Sequence, residues 1–529
     1  MSEWKPDGRF WIIIASLSIA CLVCGMENII IVMPLPFIVK DLNLGASYVW
    51  VANIHFLTGA ACMPIVGQLA NPFGRRYPTI VALCVYLLGS GLCGGAKNGA
   101  MLLAGRAFQG AGGSGIMMMT EMIIADLAPV KQRASFIGMV MGIAGMGSMA
   151  APAMGGAIVQ HASWRWIFWL NLPVCSIALV LVFFFLRVKW NKTETFASKM
   201  ARIDWIGNLL VMGATTSITI AFTWGGTIYP WKSAHVLAPL VIGILGLIAF
   251  VFWEGSPFVK EPILPLHLLS NRTSLILFIN TFITNTLLYW TYFFAPVYFQ
   301  GVLMLDPLHA AVMILPMSFL CVPTLVVTTG ILSKTGRYKW IHVIGFAVWC
   351  GGIGAMSTLK LGDKEGKYIG VQIPAGLAVG FLLGTLLPAY QGIAPEKDQA
   401  AATASFTWVR AFSYVWGVSF SAIIFTAYIA KAANMVDDPS VRSILTNRDA
   451  FSSATKAFLE QYQNPVQTQI RIAFAEAFDK ILQVAIGLTA LGFLLALFEK
   501  DIELRTEIET EFGLEDRKTA AIESTATVV

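Results

Sequence analysis

Apolar stretches of about twenty residues, separated by short polar breaks, recur along nearly the whole chain. A helix rises 1.5 Å per residue and bilayer hydrocarbon is about 30 Å thick, so each run is long enough to cross it. The runs lie near 10–33, 48–70, 78–97, 100–124, 134–160 and 165–187, then 204–224 and 234–254, then 273–300, 307–332, 340–359, 368–391, 402–430 and 475–498. The pattern predicts fourteen spans grouped six, two, six. Segment 430–473 is polar and could form short amphipathic helices, as at Ala457–Gln461. A solvated outward connector is expected there, with a lid over the outer face as the alternative.

Composition agrees with this reading. Hydrophobic residues make up 57% of 529 positions and charged residues 12%, with a mean hydropathy of +0.70. An ordinary soluble domain has roughly a quarter of its residues charged. The fold class is therefore an all-α polytopic membrane protein. Its net charge of +6 is spread over many short loops, which argues against a nucleic-acid partner and for an orientation signal. With the N-terminus in the cytoplasm, inward loops and tails hold about 21 Lys and Arg, and short outward loops about seven. Both termini are thus expected to face the cytoplasm. The sequons at Asn191 and Asn271 fall on the inward side and should stay unmodified. All eight cysteines lie in apolar segments and are expected to act as small hydrophobes.

The expected organisation is a six-helix bundle over 1–187 and a linker with two additional spans over 188–272. A second six-helix bundle follows over 273–498, with an outward loop at 431–474, and an acidic cytoplasmic tail over 499–529. A short repeat supports the two halves. Gly74-Arg75-Arg76-Tyr77 follows span two, and Gly336-Arg337-Tyr338-Lys339 follows span ten. Parallel repeats around a midplane site are a transporter architecture.

Charges within the spans carry the candidate chemistry. Arg106 lies in span four, and an arginine in hydrocarbon costs at least about 2.5–3.5 kcal/mol, so it needs a carboxylate or a wet cavity. Glu27 in span one is the first embedded carboxylate. Counting residues puts Glu27 and Arg106 roughly 8 and 10 Å outward of their span centres, where the two could meet. Such a pair could couple to protons: a nearby Arg106 keeps the carboxylate ionised, and separation in a dry site favours the neutral acid. Glu121 in span four and Arg410 in span thirteen both lie in the inward half and could pair across the bundles. Span nine carries Asn280, Asn285, Tyr289 and Trp290, and span thirteen carries Trp408. Aromatic walls with a few amides suit a large, mostly apolar ligand.

Enzyme motifs are missing. The chain has no Gly-x-Ser-x-Gly elbow, no phosphate-binding Gly-x-x-x-x-Gly-Lys-Ser/Thr loop and no His-Glu-x-x-His. No catalysis, metal or cofactor is expected.

Several motifs, in order, resemble the major facilitator superfamily, specifically its fourteen-span drug:proton antiporters of the fungal toxin and multidrug efflux type. Gly67 to Arg76 resembles the family's loop between spans two and three; Arg106 with Gln109 and Gly110 resembles its span-four motif. The stretch from Gly147 to Gly156 is similar to the span-five antiporter signature, with Gly147, Pro152, Gly155 and Gly156 expected to form a bending helix interface. Trp164 to Pro173, including Asn171, and Asp204 with Gly207 also fit. The loop departs from the pattern at Asn71, where the family has an aspartate. An inner gate would then rest on Arg75, Arg76 and Asp126, with Glu121 and Arg410.

The resemblance implies a major facilitator fold of two six-helix bundles plus two linker helices, with spans one and four lining the cavity. It also implies proton-coupled efflux of an amphipathic organic compound such as a toxin, secondary metabolite or drug, with Glu27 and Arg106 coupling protons. Gln109, Asn280, Asn285, Tyr289, Trp290 and Trp408 are the candidate ligand-binding residues. Expected partners are a small-molecule substrate, protons and the lipid bilayer. A monomer in the plasma membrane is expected, with the vacuolar membrane as the alternative location. An importer of a nutrient or metal chelate with the same fold is the alternative function.

Overall fold

The structure, a computed structural model, describes residues 7–45, 48–127, 130–186, 203–225, 229–259, 262–395, 398–446 and 450–501. Within a bilayer every backbone polar group must find its partner inside the segment, which long helices achieve. The first half contains α1 (Gly8–Ile30), α2 (Leu35–Asp41), α3 (Tyr48–Phe73), α4 (Arg76–Gly94), α5 (Gly99–Leu127), α6 (Val130–His161), α7 (Trp166–Trp169) and α8 (Asn171–Phe185). Two separate helices follow, α9 (Trp205–Trp224) and α10 (Ala234–Glu254). The second half contains α11 (Arg272–Gly301), α12 (Pro307–Val312), α13 (Leu315–Thr335), α14 (Lys339–Met356), α15 (Glu365–Gly370), α16 (Gln372–Leu383), α17 (Leu386–Ile393) and α18 (Gln399–Ala432). After α18 come α19 (Pro439–Thr446), α20 (Lys456–Leu459) and α21 (Val466–Leu497).

Polar caps start several helices where the hydrophobic pattern places them. Asp7 accepts a hydrogen bond from the Phe10 amide at 2.7 Å, Asp204 from Gly207 at 2.9 Å, and Asn271 from Thr273 at 3.1 Å. Each satisfies an amide left without a helical acceptor. The repeat seen in the sequence has a backbone counterpart. Gly74 and Gly336, at equivalent turns, both adopt left-handed conformations with φ of 73° and 66°, where a side chain would be strained.

Twelve helical segments among the described residues are long and apolar enough to cross a membrane. The other two expected spans, α5 and α11, are helices of 29 and 30 residues whose polar content keeps them out of that set. The expectation of fourteen spans thus rests, for these two, on length alone. Helix flanks expose large apolar side chains: Phe252 is 75% exposed, Leu209 73% and Phe319 61%. Water would not tolerate such a belt, and lipid would.

Segment 430–473 is more than a solvated connector. Leu445, Phe451, Ala454 and Leu459 are buried, and Phe451 stacks on Tyr48 of α3 at 4.1 Å. The last long helix also starts earlier than expected, at Val466 instead of 475. Its first turns carry Gln467, Gln469 and Arg471, so they do not read as part of an apolar run.

The side bearing the basic loops is here called inner. At the outer side the two halves are joined by several contacts. Asn53 of α3 donates to Ser419 of α18 at 2.7 Å, and Gly156 of α6 lies against the Pro307 carbonyl of α12. One apolar core runs from the outer residues of α1 to α3 into the second half. The inner part of the first half keeps a separate core around Phe10, Ile14, Leu83 and Ile123.

Candidate functional site

Glu27 occupies the last turn of α1, and Arg106 lies about two turns into α5. The two meet, as their matched depths allow. Arg106 Nη1 donates to Glu27 Oε1 at 2.5 Å, and neither side chain is exposed. The arginine's Nε donates to the Val51 carbonyl of α3 at 2.9 Å, and Nη1 also reaches Gln109 Oε1 at 3.0 Å. Asn171, at the start of α8, donates to Glu27 Oε2 at 2.7 Å. The carboxylate is therefore gripped on both oxygens from two other helices. Gln109 is held by Ser90 of α4, to which its Nε2 donates at 2.9 Å. Gln109, a candidate ligand-binding residue, thus belongs to the ion-pair cluster.

Beside this cluster lies a cavity of about 90 Å³ between the halves. Asn28, His55 and Tyr86 line it from the first half, and Arg410 and Tyr414 from α18. His55 Nε2 pairs with Asn28 Oδ1 at 3.2 Å. Arg410 Nη2 approaches Glu121 Oε1 of α5 at 3.7 Å. Tyr289 packs on Tyr414 with ring centres 4.1 Å apart, and Phe56 meets Tyr289 edge-on at 4.8 Å.

The remaining expected ligand residues are elsewhere. Asn280 donates to Glu499 Oε1 at 3.0 Å, and His342 Nδ1 meets Glu499 Oε2 at 2.7 Å, with all three side chains fully buried near the inner end. The amide's N–H finds its acceptor there, away from the cavity. Asn285 donates back to the Thr281 carbonyl at 2.8 Å within its own helix. Trp290 is 1% exposed within the core. Trp408 stacks on Phe412 and joins Val211 and Phe250 in a cluster against the linker helices. Sequence reasoning had no signal for the Glu499 cluster, because that residue looked like the start of an acidic tail.

The inner-end residues partly assemble. Arg75 donates to Asp126 at 2.7 Å and to the Ala70 carbonyl at 2.6 Å. Arg76 instead donates to the Phe183 carbonyl at 2.7 Å. The side chain of Asn71 lies outside the described residues, as does the basic stretch 187–202. In α6, Gly147 and Gly155 press on the backbone of α1 at Leu22 and Ile30, so no Cβ fits there without a shift. Pro152 sits between them inside the helix and removes one backbone hydrogen bond.

Comparison with known proteins agrees with the fold. The sequence profile described as Major Facilitator Superfamily matches residues 15–418. The chain belongs to that family. It is 41% identical over 516 residues to the MFS-type transporter TwmF of Talaromyces wortmannii, covering 97% of this chain and 94% of that protein. It is 39% identical to the efflux pump FUS6 of Gibberella fujikuroi, covering 97% and 93%. Among solved structures, a bacterial homolog of the human lysosomal transporter Spinster, inward-facing and unoccupied, superposes with a TM-score of 0.63. That match has 12% identity and covers 93% of this chain and 98% of that one, which speaks for the fold alone.

Proposed function

We propose that the chain is a proton-coupled exporter of an amphipathic organic compound, carrying no catalytic activity, with Glu27 as the proton-binding group and Arg106 as its partner. The observation that carries this reading is the fully enclosed Glu27–Arg106 pair beside a cavity between the two halves. An ion pair removed from water is expensive to build, and inside a membrane such pairs usually mark ion pathways. When the halves rock, the distance between the two charges and their hydration change together, which shifts the balance between carboxylate and acid. Relatives named efflux pumps support export over the importer alternative.

The reading includes fourteen spans with both termini inside, a monomer, and the plasma membrane as its site. It assigns the inner latch to Arg75 and Asp126, and bending of α6 to Gly147, Pro152, Gly155 and Gly156. The test is accumulation of a fluorescent amphipathic dye in cells expressing the chain. Expression should lower the dye level, and a protonophore should abolish the difference. Export that survives gradient collapse, or net dye uptake, would overturn the antiport reading.

A further inference from the structure

Arg106 and Arg410 both lie at membrane depth, and they are satisfied very differently. Arg106 has three oxygen acceptors between 2.5 and 3.0 Å. Arg410, roughly 17 Å from the inner end of α18 at 1.5 Å per residue, has one carboxylate neighbour, Glu121, at 3.7 Å. A charge-assisted N–H to carboxylate bond is normally about 2.7–2.9 Å. Among the described residues the Arg410 guanidinium donates no hydrogen bond, although it lines the cavity. A group that cannot lose its charge is thus left with its donor fork unused.

The surroundings define what would fill that fork. Phe56, Tyr289 and Tyr414 pack at ring-centre distances of 4.1–5.5 Å beside the guanidinium, with Phe56 edge-on to both tyrosines, giving an aromatic cluster drawn from both halves. Tyr86, a fully buried residue of the same lining, has a phenol oxygen with no hydrogen-bond partner. A cavity of about 90 Å³ admits a head group and not a whole amphipath. The body of a ligand would lie along the aromatic cluster once the halves part.

We infer that Arg410 is the recognition residue for an acidic head group, a carboxylate on an aromatic or otherwise apolar body, and that Glu121 is its partner when no ligand is bound. Arrival of the ligand's anion displaces Glu121 from the guanidinium, which gains a bidentate partner in place of a single long contact. This deepens the exporter reading and rests on it for the meaning of the ligand.

The test uses purified full-length protein in lipid nanodiscs without any gradient, and three probes that share one ring system: pyrenebutyrate, pyrenebutanol and pyrenebutylammonium. Wild type should bind the carboxylate about tenfold more tightly than the alcohol, in line with one charged hydrogen-bonded pair, and the ammonium more weakly still. Arg410→Gln should erase the preference, Arg410→Lys should restore part of it, and Glu121→Gln should tighten pyrenebutyrate binding several-fold. A purely structural Glu121–Arg410 pair would not give that last gain. Equal binding of acid and alcohol, preference for the ammonium, an unchanged preference in Arg410→Gln, or no binding of pyrenebutyrate would each overturn the inference. Because no gradient is present, loss of proton-driven export with the binding preference intact would remove the antiport reading and leave this one standing.

Discussion

Asn171 donates to the second oxygen of Glu27 at 2.7 Å, so the carboxylate is held by α8 as well as by Arg106 of α5. Three helices that lie far apart in sequence are tied through one side chain. Any movement that frees Glu27 must break both contacts.

Energetic coupling follows from that arrangement. Removing one partner of a buried ion pair costs about 3–5 kcal/mol, because the other charge is left unpaired. Glu27→Gln and Arg106→Gln should each lower thermal stability markedly, and the double variant should lose much less than the sum. Strictly additive melting-point losses in detergent would show that the pair is not a unit. Glu27→Gln should still bind ligand while losing the pH dependence of transport.

The outer contact between the halves offers a second test. Asn53 and Ser419 touch at 2.7 Å, so cysteines at both positions should form a bridge under mild oxidation. Transport should stop and return with reductant, since the outer side must open for release. Full activity of the cross-linked protein would rule out opening at that point.

Glycines in α6 should differ sharply in their tolerance of substitution. A Cβ on Gly155 would lie 2.6 Å from the Ile30 carbonyl, whereas one on Gly138 meets nothing within 4 Å. Gly155→Ala should destabilise by about 1–3 kcal/mol through overpacking, and Gly138→Ala should be neutral or slightly stabilising. Equal melting points for the two variants would refute the close-approach argument.

The outer segment is tethered by Lys456, which donates to Asp306 at 3.0 Å. This hydrogen bond holds the Asp306 carboxyl below its ordinary range. A depressed carboxyl contributes stability above its unfolded value, about 3.9, and loses it as pH falls through the lower native value. His309 Nδ1 also lies 3.7 Å from that carboxyl, so in a His309→Gln background the tether should not vary between pH 5 and 8. Hydrogen exchange in residues 450–465 of that variant, corrected for intrinsic rates, should be flat over that range and faster throughout when Asp306→Asn is added. Protection that titrates between pH 5 and 8 would contradict the assignment.

Much of the frame was legible from apolar run lengths, and the possibility that Glu27 meets Arg106 from their matched depth, with the family resemblance placing both spans on the cavity. Depth needs only a residue count along a helix of known rise. Rotation does not follow so simply, because a helix that is apolar all round gives no stripe to orient it. That is why Trp408, expected to face a ligand, turns to Phe250 and the linker helices. It is also why Asn280 was assigned a ligand when its partner is Glu499, 219 residues away. The early start of α21 was hidden because its first turns are polar, while only their neighbours in space show that Ile470 and Phe474 are buried.

Glu499 has a practical bearing on protein engineering. Its carboxylate receives Asn280 and His342, and the next residue's carbonyl accepts a hydrogen bond from Tyr338 at 2.8 Å. A stop codon or reporter fusion placed at 498 would leave an amide and an imidazole stranded in the interior of the second half. A junction placed after Asp501 keeps those anchors, so the boundary for a tagged or shortened version falls there and not at the end of the last apolar run.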